Sequence, residues 1–290
     1  MSVDGRRGRA PAAMRRAVRA LVVLGAFVLS TDAWAQDAKP TLAATKSEHG
    51  REMAAVPGGP FLSGCNKAVD PDCADQEGRT VEVGAFSIDK TEVTVAAYAR
   101  CRGAEQCSSS GLKMPYFDGQ DQPEYAELCN WQKPGREHHP INCVNWDQAS
   151  AFCKWAGKRL PTEAEWEKAA RGTDGRTYPW GNAGYGTAGK VANIADEAAK
   201  RRYPQWMIAV GYDDGFVGTA AVGSFPAGAS PSGALDMIGN VFEWTADTFE
   251  GGRAVRGGSW DVGPAGARVS SRSWVAGENR NANVGFRCAR

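Results

Sequence analysis

The sequence predicts an α+β domain over residues 52–290, with low regular secondary structure, long ordered loops and disulfide staples. Three observations carry that expectation. Two capped amphipathic helical segments sit in the middle of the chain. Beyond Gly172 the helix signals fade into glycine, Asn/Asp and aromatic residues. All eight cysteines follow an N-terminal segment of export type.

Arg15, Arg16 and Arg19 precede a short apolar run at 20–29, and Ala33-Trp34-Ala35 then sets small residues either side of one position. A basic region, an apolar core and an A-x-A site read together as a secretory signal peptide over residues 1–35. The competing reading is a membrane anchor, but the run is short for ~30 Å of hydrocarbon. No cysteine follows it, which argues against a lipid-anchored precursor, and Arg15-Arg16 also fits a twin-arginine route. Taking six arginines and two aspartates from 34 basic and 33 acidic residues leaves 28 and 31, a net charge near −3. Such a chain lacks the basic face that nucleic acid or an anionic membrane requires, and no membrane span remains after cleavage. Residues 36–51 are polar and mixed and read as a flexible leader.

Residues 56–64 read as a strand broken by a Pro-Gly turn, and the alternation over 80–89 as a second strand. Thr94 is placed to cap a short helix over 95–102, with Tyr98 and Cys101 on one side. Residues 108–140, rich in Ser, Gly, Pro and Asp, read as loop. Asn145 caps a helix over 146–156, with Gln148 at the capping-box position and Ala149, Phe152, Cys153 and Ala156 on one face. Gly157 ends it. Thr162 caps the next helix, which has Glu165 at the capping-box position, carries Ala164, Trp166, Ala169 and Ala170, and closes at Gly172. Glu163 and Glu165 suit the positive helix end, and Lys168 and Arg171 the other. These glutamates are therefore expected to cap the helix rather than act as acid/base catalysts. Farther on, Trp180, Trp206, Phe216, Phe225, Trp244, Trp260, Trp274 and Phe286 supply too much apolar mass for disorder.

An even number of cysteines in an exported chain favours four disulfides. Close spacing in turn-rich sequence suggests Cys65–Cys73, Cys101–Cys107 and Cys129–Cys143, which leaves Cys153 for Cys288. Eight cysteines allow 105 pairings, so spacing alone does not fix the connectivity. No C-x2-C pair is present to suggest zinc.

Nine pieces, in order, resemble the sulfatase-modifying factor family, the formylglycine-generating enzyme type of domain. They are FSIDKTEVT (86–94), HP (139–140), VNW (144–146), AFCKWAGKRLPTEAEWE (151–167), YPWG (178–181), DGFVGT (214–219), GNVFEW (239–244), RGGSW (256–260) and GFRC (285–288). The resemblance implies a C-type-lectin-like variant of the formylglycine-generating enzyme fold. It also implies that Cys153 and Cys288 form a structural disulfide.

Family members that are oxidases turn a sulfatase cysteine into formylglycine with two copper(I)-binding cysteines after the Arg-Gly-Gly-Ser turn. Thiolates suit that chemistry as soft ligands and as partners in thiol exchange. Here the first such position falls on Val262 and the second near Pro264 or Ala267, and residues 261–287 contain no cysteine. The resemblance therefore implies no copper and no catalytic thiol. Other branches bind non-haem iron through histidines, for which two imidazoles and a carboxylate are wanted. This chain has only His49, His138 and His139, the last two adjacent in a loop. The same shortage argues against a Ser-His-Asp arrangement at Ser259.

Two structural calcium sites are implied by the resemblance. One maps to Asn193 and Asp214 with the carbonyls of Ile194 and Phe216. The other maps to Asp236 and Glu243 with the carbonyls of Gly239 and Val241. Each position offers a hard oxygen donor of the kind calcium takes; the competing reading is turn-forming residues and a surface glutamate. The functional expectation is an exported binding or scaffolding module, periplasmic or extracellular, for a protein or glycan ligand. Its candidate contacts lie in a 261–283 loop that includes Arg272 and Trp274. The alternative is a formylglycine-generating oxidase or a related oxidoreductase acting on protein cysteine.

Overall fold

A computed structural model describes residues 52–290; the expected signal peptide, the leader through residue 51 and His49 lie outside the described residues. The Pro57-Gly58 turn divides the first apolar stretch into β1 (Met53–Val56) and β2 (Gly59–Ser63). The single strand expected over 80–89 is likewise two, β3 (Arg79–Val83) and β4 (Phe86–Asp89). Pairing is the cause. β3 runs antiparallel to β2, with Phe61 opposite Val81, whereas β4 runs antiparallel to β1, with Val56 opposite Phe86. The chain therefore leaves one ladder for the other at Gly84-Ala85.

The helix α1 (Val95–Gly103) starts where Thr94 accepts a hydrogen bond from the Ala97 backbone, and it buries Tyr98 and Cys101. The segment expected as loop holds a small hairpin, β5 (Tyr116–Phe117) with β6 (Gln120–Asp121), and a 3-10 turn over Pro123–Leu128. Both of the next helices begin with a complete capping box. α2 (Trp146–Trp155) buries Ala149, Phe152 and Cys153. α3 (Glu163–Arg171) buries Trp166, Ala169 and Ala170.

Matching the helix dipole is only part of the role of Lys168 and Arg171. They are 2% and 1% exposed, because α3 lies across β2 and β3. Lys168 Nζ donates to the Gly59 carbonyl at 2.6 Å, and Arg171 donates to the Leu62 carbonyl at 3.2 Å. A further helix, α4 (Glu197–Arg202), follows the N-cap Asp196, in a region where helix signals were expected to be nearly absent. Asp at the cap, Glu in the first turn and three basic residues in the last are its local signature.

The closing sheet has the order β10-β7-β8-β9, from β7 (Phe242–Phe249), β8 (Gly252–Arg256), β9 (Arg272–Val275) and β10 (Val284–Gly285). β10 is parallel to β7 and the other pairs are antiparallel. One core gathers Ile88, Trp166, Ile194, Met237 and Val269. The other gathers Tyr98, Phe152, Trp244 and Phe286, with Tyr98 stacked on Phe152 and Phe286 edge-on to Phe152. Four disulfides staple the loops: Cys65–Cys73, Cys101–Cys107, Cys129–Cys143 and Cys153–Cys288. No cysteine among the described residues is free. No helix among them is long and apolar enough to cross a membrane.

Candidate binding cleft and candidate cation sites

β8 ends in a Gly-Gly turn that other residues would not make. Gly257 and Gly258 have φ of 94° and 70°, and a Cβ on Gly257 would come within 3.0 Å of Trp166 and the Met237 carbonyl. The turn delivers Trp260 and Asp261 to the wall of a cleft of about 440 Å³. Three other segments complete the wall. The 115–128 stretch supplies Phe117, Asp118 and Tyr125, the chain after α4 supplies Tyr203 and Trp206, and the chain before β10 supplies Asn279, Asn281 and Asn283. Tyr203 and Trp206 stack at 4.1 Å, and Trp206 lies 5.7 Å from Trp260. Asp261 accepts from Ser259 Oγ and from Asn283 Nδ2 at 3.0 Å, while burial pushes its carboxyl above the usual range. Two groups on this wall, Trp260 Nε1 and Asn281 Oδ1, are buried without a hydrogen-bond partner.

Val262, Pro264 and Ala267, the positions expected for the family's thiols, are not among the residues that line this cleft. Ala267 is fully buried in the first core, and its carbonyl accepts from Tyr185 Oη at 2.6 Å. Val262 is half-buried and held by its backbone, donating to Ser259 and accepting from Ala195.

Arg272 and Trp274 lie elsewhere, because residues 272–275 form strand β9 and not loop. Pairing with β8 sets Arg272 opposite Arg256, in a second cleft of about 410 Å³. There Arg272 stacks on Phe249 at 3.6 Å and pairs with Glu163 at 2.5 Å. Arg256 in turn pairs with Glu167 at 2.7 Å. Trp274 is 45% exposed on the sheet's edge strand. His139 Nδ1 lies 3.0 Å from both Thr219 Oγ1 and Arg136. Burial, helped by the Arg136 charge, lowers its pKa to about 4, which leaves a neutral imidazole at neutral pH.

The residues of the two candidate calcium sites fall into two buried groups. Asp214 accepts backbone N–H bonds from Ile194 and Phe216 at 3.0 and 2.7 Å. Burial, with Asp196 close by, raises its pKa to about 7. Asn193 donates through its amide nitrogen to Gly218 and Asn240, but its Oδ1 is buried with no partner. In the second group Glu243 accepts from Arg287 through both oxygens and from Trp166 Nε1, each at 2.7 Å. Three of its roughly four lone-pair sites are thus taken. Asp236, in a left-handed conformation at φ 55°, accepts from the Gly223 backbone at 2.6 Å.

Sequence reasoning missed a third carboxylate here. Glu92 is fully buried, no nitrogen or hydroxyl donates to either of its oxygens, and its carboxyl lies in hydrogen-bond reach of Asp236. Burial and the neighbouring Asp236 push its carboxyl well above the usual range. Glu92, Asp236 and Glu243 share the one Arg287 in a dry setting that disfavours their ionisation, and a divalent cation would offset the cost of ionising more than one of them. The two groups abut. A Cβ on Gly239 (φ 80°) would lie 2.1 Å from the Asn193 carbonyl, so only glycine fits. The hard oxygen donors and the orphaned oxygen of Asn193 fit calcium. Asp196 was missed as well; one of its oxygens caps α4 at Ala199 and the other accepts from the Asp214 backbone.

Comparison with known proteins places the chain. The model of the sulfatase-modifying factor enzyme 1-like domain matches residues 38–290. The chain is 32% identical to the inactive C-alpha-formylglycine-generating enzyme 2 of Mus musculus over 82% of its own length and 85% of that protein. It is also 32% identical to the formylglycine-generating enzyme of Streptomyces coelicolor, over 82% of its own length and 89% of that protein. Hercynine oxygenase of Mycolicibacterium smegmatis is 31% identical over 81% of this chain and 60% of that protein. Among solved structures, PvdO from Pseudomonas aeruginosa superposes with a TM-score of 0.62 at 22% identity, covering 84% of this chain and 96% of that one. With the nine ordered motifs, the matching fold and this extent of similarity, the chain belongs to the FGE-sulfatase (sulfatase-modifying factor enzyme 1-like) domain family.

Proposed function

We propose that this chain is an exported, non-catalytic binding module of its family, and that the cleft beside Trp260 takes the ligand. The observation that carries this reading is the chemistry of the loop after the Gly-Gly turn. Residues 261–287 contain no cysteine, and all eight cysteines of the chain are joined in disulfides. Neither a soft copper(I) ligand pair nor an exchanging thiolate is available there. Similarity both to a relative named inactive and to relatives named formylglycine-generating enzyme and hercynine oxygenase leaves the choice to the residues themselves. Four disulfides fit an oxidising compartment, which supports periplasmic or extracellular placement.

The test is incubation of purified protein with a Cys-x-Pro-x-Arg peptide, copper and oxygen, followed by mass spectrometry. The expected outcome is no formylglycine above a no-protein control. Turnover above that control would overturn the reading in favour of the oxidase alternative.

The proposal includes structural calcium. Asn193, Asp214 and the carbonyls of Ile194 and Phe216 would hold one ion. Asp236, Glu243 and the carbonyls of Gly239 and Val241, beside Glu92, would hold the other. Such ions would tie together loops that few backbone ladders join. A chelator should lower the melting temperature and calcium restore it; an unchanged melting temperature would remove both ions from the proposal.

A further inference from the structure

We infer that the aromatic–amide cleft takes a neutral, polyhydroxylated ligand, a glycan without charged sugars. This inference rests on the binding-module reading. Charge narrows the ligand first. The lining includes two carboxylates, Asp118 and Asp261, and no lysine, arginine or histidine. An anionic ligand would be desolvated against carboxylates with no counter-charge in the wall, which disfavours sulfated or phosphorylated groups.

The unsatisfied groups narrow it further. Trp260 is 4% exposed and its Nε1 has no acceptor; Asn281 Oδ1 is buried with no donor. The indole N–H can only donate and the amide oxygen can only accept. An ammonium or guanidinium ligand has donors only, so it leaves Trp260 orphaned. A carboxylate or phosphate has acceptors only, so it leaves Asn281 orphaned. A hydroxyl does both, and neighbouring hydroxyls on one ring serve both groups at once. Both atoms are sealed from solvent in the ligand-free chain, so such a ligand removes their unmade bonds by turning the two side chains towards the cleft.

Shape agrees with this. The stacked, half-buried Tyr203–Trp206 pair offers a ring face to the apolar side of a sugar, and Trp260 backs it. Asn279 and Asn283 add amides that both donate and accept. The volume falls within the ~300–1,000 Å³ usual for small-ligand sites. A peptide also carries donors and acceptors. Its usual docking modes, however, use a strand edge or a continuous groove, whereas this wall is built of side chains from four separated segments.

The test is calorimetric and fluorescence titration of the full mature chain with neutral tetrasaccharides: gluco-, manno-, galacto-, xylo- and N-acetylglucosamine-based. Tetragalacturonate is the anionic arm and the Cys-x-Pro-x-Arg peptide the competing one. At least one neutral tetrasaccharide is expected to bind below about 1 mM and to perturb tryptophan emission, and tetragalacturonate is not. Trp206→Ala, at a half-buried position, should weaken binding by about tenfold or more. Asn281→Ala should weaken it by roughly two- to tenfold. Trp274→Ala, outside the cleft, should leave binding unchanged. Failure of every neutral sugar at about ten times that concentration, or binding indifferent to Trp206→Ala, overturns the inference. Peptide binding without sugar binding also overturns it but keeps the module reading, whereas formylglycine in the peptide arm defeats the module reading itself.

Discussion

Removing the Cys153–Cys288 disulfide should destabilise this fold more than removing any other. The bridge spans 135 residues, against 8, 6 and 14 for the other three. No other cysteine lies between its ends, so no nested bridge already shortens the loop. In the chain-entropy account a closed loop of that size restricts the unfolded chain by about 5 kcal/mol at 25 °C, and the short loops by about 2–3 kcal/mol each. Both sulfurs are buried in the second core, so truncation adds a small void term. The control Cys101→Ala/Cys107→Ala carries a comparable void, since those sulfurs are buried in the same core, and it isolates the loop term. Urea unfolding of Cys153→Ala/Cys288→Ala should therefore show a loss about 3 kcal/mol larger than that control. It should also show a steeper denaturant dependence, because the released chain exposes more surface. A loss within about 1 kcal/mol of the control would refute the reasoning, as it would mean that the C-terminus is held by packing and not by the bridge.

Other expectations follow from the buried charges. Glu167→Gln leaves Arg256 and Arg171, both almost fully buried, facing a neutral amide, and unfolding titration should register a loss of about 3–5 kcal/mol. Glu92→Gln should diminish the rise in melting temperature on adding calcium; an undiminished rise would exclude Glu92 from the cation's surroundings. His139 has a pKa of about 4 against 6.5 for the free side chain, so the unfolded state binds more protons between those values. Its contribution to stability is therefore present above pH 6.5, falls as pH drops from 6.5 towards 4, and does not fall further below 4. His139→Gln should flatten the acid limb of the stability profile across that window, and an unaltered limb would show that the imidazole is not held neutral.

The capped helices α1, α2 and α3 were legible because a cap is local. Thr94, Asn145 and Thr162 each meet a backbone N–H three residues ahead. α4 carried the same kind of signal at Asp196 but stood in glycine-rich surroundings that masked it. The division of 80–89 into β3 and β4 was not legible. Nothing within the stretch states that one half pairs with β2 and the other with β1. Lys168 and Arg171 read as charges suited to a helix end, and their burial comes from the strands laid beneath α3.

The sequence by itself determined the family, the helix caps and the absence of cysteine from residues 261–287, since each is a matter of residue identity at short range. Only the tertiary structure decided where binding chemistry can gather. It moved Arg272 and Trp274 away from Trp260, because β9 pairs with β8 and carries them to the second cleft and the sheet edge. It brought Tyr125, Trp206, Trp260 and Asn281 to one wall. It also set Glu92 beside Asp236, which lies far along the chain. Side chains so widely separated in sequence share no local period or spacing, so their meeting is a property of the packed loops and is written in no single segment.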